Sequence, residues 1–249
     1  VIRVRAVAAG LLLSSYFFCS LAGAEPPGNW QIRAPLPSSR TEVAAAETGG
    51  KIYVIGGYVS GAGALNTVYE YDPAANHWSA RSSMPTARGA LAVGVIRGKI
   101  YAVGGIAADE KDSKAVEAYD PQSDRWTKLG AIPTGRDHLA VAVVDGKLYA
   151  IGGRVNGNHN KSIAVNEEYD PAADGWRARA PLPTVRSGIA AAVLDGKVYV
   201  FGGESHGKTH KEVEAYDPKT DTWQRYAPMP TARHGLGAVA VGRSIYVIS

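Results

Sequence analysis

Glu204 is the residue on which acid/base chemistry could turn. It directly follows Gly202-Gly203 and is the only acid in the chain to stand directly after a double glycine. A carboxyl group partly withdrawn from water can hold its proton nearer to neutral pH and so serve as general acid or base. The residues in the matching place, after Gly56-Gly57, Gly104-Gly105 and Gly152-Gly153, are Tyr58, Ile106 and Arg154. Arg154, Lys208 or His210 would supply a cation beside Glu204. A second set of unlike residues follows a recurring arginine: Thr41, Gly89, Asp137, Ser187 and His234. Tyr58, Asp137, His138, Arg154, His206, His210 and His234 are therefore the candidate ligand contacts. Glu204, His206 and His210 fall close together, but no regular element fixes their spacing as metal ligands require, so no metal site is expected. No Ser-His-Asp order, glycine-rich phosphate loop or paired carboxylates stands out, and no cofactor is implied.

These candidates stand on a repeating frame. All five tryptophans, Trp30, Trp78, Trp126, Trp176 and Trp223, are separated by 48, 48, 50 and 47 residues. Arg40, Arg88, Arg136, Arg186 and Arg233 keep the same register, each three residues after a proline. So do the four double glycines, and so do Tyr71, Tyr119, Tyr169 and Tyr216, each opening a Tyr-Asp-Pro and preceding its tryptophan by seven residues. One period reads as Pro-x-x-Arg, an apolar run, a turn, a second apolar run ending at the double glycine, a variable loop, a third strand, a turn at Asp-Pro and a last strand around Trp. That is four short strands joined by turn signals. Asp145-Gly146 and Asp195-Gly196 suit two-residue hairpin loops, since both residue types tolerate positive φ. Tandem four-stranded units imply an all-β propeller.

The double glycine after a Tyr-Val-Ile or Tyr-Ala-Val strand, then Tyr-Asp-Pro, then Trp at a fixed interval resembles the kelch repeat over residues 28 to 249. The resemblance implies a kelch β-propeller, commonly six-bladed, used mostly for protein recognition and occasionally as an enzyme scaffold. The chain stops inside its fifth repeat and opens on a lone outer-strand sequence at Gly28 to Arg33, so it reads as a truncated piece of a six-bladed ring. The repeated Trp, Tyr, Gly-Gly and Arg positions read as structural, with the paired glycines admitting close backbone approach and each aromatic burying on the order of 150 to 250 Å². The arginines are expected to pair with Glu117, Glu167 and Glu214, two residues before their tyrosines; Tyr69 takes that place in the first repeat.

The chain has 249 residues, with 29 glycines and 14 prolines, which favours turns and strands over helices. Residues 1 to 24 carry Arg3 and Arg5, then an apolar run ending at Ala22-Gly23-Ala24, and read as a secretory signal peptide, leaving residues 25 to 249 as the propeller. A periplasmic or secreted protein with no membrane span after cleavage is expected. Without that segment the chain has 25 basic and 23 acidic residues, a balance that gives no nucleic-acid signal. Cys19, the only cysteine, precedes the propeller, so the cysteine-crosslinked tyrosine of the kelch relative galactose oxidase cannot be assembled.

The divergent residues, in loops on one face, point to a recognition module for a protein, peptide or glycan. Arg154, Asp137, His138 and His234 are then expected to be exposed on that face, with Tyr119 and Trp126 buried. The rival reading is an enzyme of the sialic acid mutarotase type, by similarity to bacterial N-acetylneuraminate epimerase, with Glu204 as general acid/base. Convergence of Glu204 and a basic residue on one pocket is the feature that separates the two.

Overall fold

A computed structural model describes residues 31–61, 63–109 and 111–248. Residues 1–24, with the expected signal peptide, and Trp30 lie outside the described residues. Every regular element among the described residues is a strand, and none is a helix long and apolar enough to cross a membrane.

Each of the first four repeats folds as one antiparallel sheet with its four strands in chain order. The first blade comprises Ala44–Thr48, Lys51–Ile55, Val68–Asp72 and His77–Arg81. The second comprises Ala92–Ile96, Lys99–Val103, Val116–Asp120 and Arg125–Lys128. The third runs through Ala140–Val144, Lys147–Ile151, Asn166–Asp170 and Gly175–Arg179, the fourth through Ala190–Leu194, Lys197–Phe201, Val213–Asp217 and Thr222–Tyr226. The fifth contributes the pair Gly237–Val241 and Ser244–Ile248.

Turn chemistry sets these registers. Asp145 and Gly146 have φ of 50° and 73°, and Asp195 and Gly196 have 51° and 73°, the two consecutive positive values of a tight hairpin. Between the third and fourth strands the Asp of Tyr-Asp-Pro folds back on its own turn, as when Asp120 Oδ1 accepts the Gln122 amide at 3.0 Å.

Blades are joined through the repeated residues. Between the second and third blades, the Gly105 amide donates to the Arg136 carbonyl at 2.9 Å. A Cβ on Gly104 or Gly105 would come within 2.6 Å of the carbonyl oxygens of Arg136 or Gly89, so only glycine admits that approach. Arg88, Arg136 and Arg186 are fully buried and pair with Glu117, Glu167 and Glu214 at 2.6, 2.5 and 2.9 Å, as the sequence suggests. In the first repeat Arg40 instead lies 4.9 Å from the Tyr69 ring centroid. Arg233 departs from the pattern and is exposed, although its carbonyl still accepts the Gly203 amide.

Tyr119, Tyr169 and Tyr216 are buried in the apolar clusters between blades. Trp126 is half-buried rather than buried, because its ring covers Tyr119 from the outer strand, centroids 5.1 Å apart. It still staples blades, donating from Nε1 to the Ser82 carbonyl at 2.8 Å. The Ser82 amide in turn donates to Asp124 Oδ1, which also accepts the Tyr119 hydroxyl at 2.6 Å. Asn76, Asp174 and Asp221 repeat that role in the other blades.

Candidate functional site

The two sets of divergent residues turn out to be paired. In the third blade Asp137 and Arg154 exchange both backbone hydrogen bonds, at 3.0 and 2.9 Å; in the fourth, Ser187 and Glu204 do so at 3.0 and 2.8 Å. Each small bridge holds the residue after the arginine against the residue after the double glycine. The next residue along, Glu42, Ala90, His138, Gly188 or Gly235, takes a left-handed backbone with φ between 51° and 60°. These five are linked in series: Ala90, His138, Gly188 and Gly235 each donate a backbone N–H to the carbonyl of the preceding one, at 2.9 to 3.0 Å. Val43, Leu91, Leu139, Ile189 and Leu236 follow them and form a second, apolar tier. With Arg154, Glu204 and His234, the two tiers line a cavity of 590 Å³.

Arg154 is the hub of this cavity. Its Nε donates to Asp137 Oδ1 at 3.1 Å, Nη1 to Glu204 Oε1 at 2.6 Å, and Nη2 approaches His138 Nε2 at 2.9 Å. His138 Nδ1 lies 2.5 Å from Asp137 Oδ1, and its Nε2 lies 3.6 Å from Glu42 Oε1. Beyond Arg154, His234 Nε2 stands 3.8 Å from the second carboxylate oxygen of Glu204. Asp137 also accepts the Gly157 amide on Oδ2 at 2.8 Å.

Burial pushes Asp137 up, but hydrogen bonds from His138, Asp112 and Gly157 outweigh it and hold the carboxyl below the usual range. For His138 burial works downward, and its hydrogen bonds to Asp137 and Glu42 carry it above the ordinary imidazole value. The bond from His138 holds Glu42 low against the effect of burial.

The expected rim is thus partly corrected. Asp137 is fully buried rather than exposed, because Arg154, His138 and the Gly157 amide enclose its carboxylate. Arg154 and His138 are largely buried, and only His234 is openly exposed. Tyr58 packs its ring on Gly89 of the next blade and donates to the Ile106 carbonyl at 3.3 Å, outside the cavity lining. His206 is exposed in the turn of the Glu204–Ser205 and Lys208–Thr209 hairpin. His210 is buried, not on the rim, with Nε2 2.7 Å from Ser205 Oγ and Nδ1 3.2 Å from Glu212. That serine, histidine and glutamate mimic a hydrolytic triad, but Ser205 and His210 are both buried within the loop and neither is among the residues lining the 590 Å³ cavity. Of the cations considered for Glu204, Arg154 is the one that meets it; Lys208 turns outward toward Glu212. No group of three or more metal-ligating side chains gathers among the described residues. Sequence reasoning missed Glu42 and the ring it belongs to. Their signal was the repeat register itself, two residues beyond each repeated arginine.

Residues 28–178 and again 130–249 match the family described as the KLHDC2/KLHL20/DRC7 Kelch-repeats domain. The chain belongs to the kelch-repeat family. No curated protein matches this kelch chain. A solved structure entitled "Structure of YjhT" is similar to it with a TM-score of 0.79 at 18% identity, over 88% of this chain and 80% of that one. At that identity the likeness is one of fold.

Proposed function

We propose that this kelch chain is an exported recognition module that takes a peptide, protein segment or glycan at the mouth of its central channel. One observation carries the reading: the 590 Å³ cavity is walled by the residues that break the repeat, above an apolar tier able to hold a ligand's carbon surface. Glu42, Ala90 and His138 keep side chains there on a left-handed backbone that glycine would adopt at less cost, which is where function tends to hold strain. The Arg154 guanidinium is engaged with Asp137, Glu204 and His138, so the remaining acceptors of the lining are Glu42, beside His138, and Oε2 of Glu204, beside the exposed His234. A ligand presenting hydroxyl or amine donors matches them. The apolar run closed by Ala22-Gly23-Ala24 supports export to the periplasm or beyond.

The test is to probe glycan and peptide arrays with the labelled chain, beside Glu204→Gln and His234→Ala. Selective binding that falls tenfold or more in both variants is expected. Binding to no feature, or binding that neither variant weakens, overturns the reading.

The meeting of Glu204 and Arg154 at 2.6 Å favours one second reading, a sugar mutarotase with Glu204 as acid/base. Following anomeric equilibration of a sialic acid by NMR decides it. No acceleration, or equal acceleration by the unmutated protein and Glu204→Gln, removes Glu204 as catalyst.

A further inference from the structure

Two aspartates from different blades grip one turn. After Arg154 the chain reverses at Asn156 and Gly157, with φ of 55° and 64°, before running back through Asn158–Ser162. Asp112, from the loop of the second blade, accepts the Asn156 amide on Oδ2 at 2.6 Å. Asp137 accepts the very next amide, Gly157, on Oδ2 at 2.8 Å. Consecutive amides bring the two carboxyl groups side by side, within reach of each other's charge. No donor among the described residues reaches the buried Oδ1 of Asp112. Two carboxylates repel, whereas a carboxylic acid donates to a carboxylate, so the contact requires one proton. Asp137 already faces His138 and Arg154, so the proton resides on Asp112.

We propose that Asp112 and Asp137 form a proton-operated latch, which fastens the loop of the third blade, and with it Arg154, across to the second blade while the pair keeps its single proton. Burial and then the neighbouring Asp137 push the Asp112 carboxyl up to about 6, against the pull of the Asn156 amide. A group raised in the folded state stabilises the closed form at low pH, and that contribution is lost as pH rises through the folded value. Against the ordinary aspartate value of about 3.9 in the open form, the latch is firmest below about pH 4, loosens as pH rises toward about 6 and changes no further above it.

The charged neighbours act in the same direction. On its own segment Asp137 is flanked by His138, whose cationic form supports the Asp137 carboxylate until it too loses its proton at higher pH. Arg154 comes from the third-blade hairpin, Glu42 reaches the site through His138 from the first blade, and Glu204 through Arg154 from the fourth. On the Asp112 loop, Lys111 turns to Asp109, and Lys114 lies beside Gly135.

The latch needs no ligand; only its effect on binding rests on the recognition reading above. The test is accordingly ligand-free. Hydrogen exchange of the Asn156 and Gly157 amides, corrected for intrinsic rate, is followed from pH 4 to 8 in the full chain. Protection is expected to fall by up to about tenfold per pH unit between about pH 4 and 6 and to level off above that, as release of one proton dictates. Asp112→Asn should stay protected throughout, because its amide donates to Asp137 without a titrating proton while its carbonyl accepts from Asn156. Asp112→Ala should be unprotected at every pH. A pH response that survives in Asp112→Asn assigns the switch to His138 and overturns the proposal, as does flat protection in the unmutated protein. Neither result touches the array experiment, where the recognition reading stands or falls by itself.

Discussion

His138 sits where three demands on one ring compete. Its Nδ1–H is committed to Asp137, and its Nε2 can accept from Arg154 Nη2 only while the ring is neutral. Protonation turns Nε2 into a donor, which the guanidinium cannot receive and Glu42, 3.6 Å away, can. Burial opposes the charge, but the bonds to Asp137 and Glu42 prevail and raise the imidazole above its ordinary value. The stability it contributes is therefore complete below the unfolded histidine value of about 6.5 and is lost as pH rises through the folded one. In an NMR titration the His138 ring should show a midpoint above about 6.5, and Glu42→Gln should lower it. A midpoint below that of free histidine would mean that burial wins, and the ring would stay neutral with Arg154 bound.

Within and between blades, the buried ion pairs and the outer tryptophan staples carry separable loads. Arg136 donates to the Gly152 and Ala150 carbonyls as well as to Glu167, all in a region closed to water. Arg136→Ala strands Glu167 as a buried unpaired charge and should cost about 3 to 5 kcal/mol, read from chemical denaturation, with Glu167→Ala added to it recovering part of the loss. Trp126→Phe keeps the ring against Tyr119 and deletes only the bond to Ser82, so it should cost about 1 kcal/mol. Losses of equal size would show that the outer Nε1 bond counts for as much as the buried pair. The blades were legible because Trp, Arg, Gly-Gly and Tyr-Asp-Pro each solve a local or nearest-neighbour problem, once per period. Even the pairing of Arg88, Arg136 and Arg186 with Glu117, Glu167 and Glu214 followed from register. Asp137 and His210 were misplaced because residue type argues for exposure, and only enclosure by neighbouring loops withdraws them from water. Glu42 went unnoticed because it meets His138 only where the first and third blades converge on the channel.

At the scale of the whole molecule, the stacking that buries four blades leaves a side of the fifth uncovered. Ala142, Val144, Tyr149 and Ile151 of the third blade are 6%, 4%, 3% and 0% exposed, shielded by the fourth. Their counterparts by strand register, Val239, Val241, Tyr246 and Ile248, are 50%, 58%, 50% and 69% exposed. On the first blade Val43 and Ile52 are exposed too. Contiguous apolar surface of this kind, running along strands, favours association with other apolar surface. The 249-residue chain should therefore bind an apolar dye and sediment as a concentration-dependent mixture. Val239→Lys combined with Val241→Lys should reduce both signals and leave the β-sheet circular dichroism unchanged, since those side chains face solvent. Ala142→Lys, at the matching buried place, should instead unfold the protein by forcing an ammonium between the third and fourth blades. A monomer at every concentration with no dye bound would show that this face is shielded in solution, and the two lysines should then destabilise the chain rather than solubilise it.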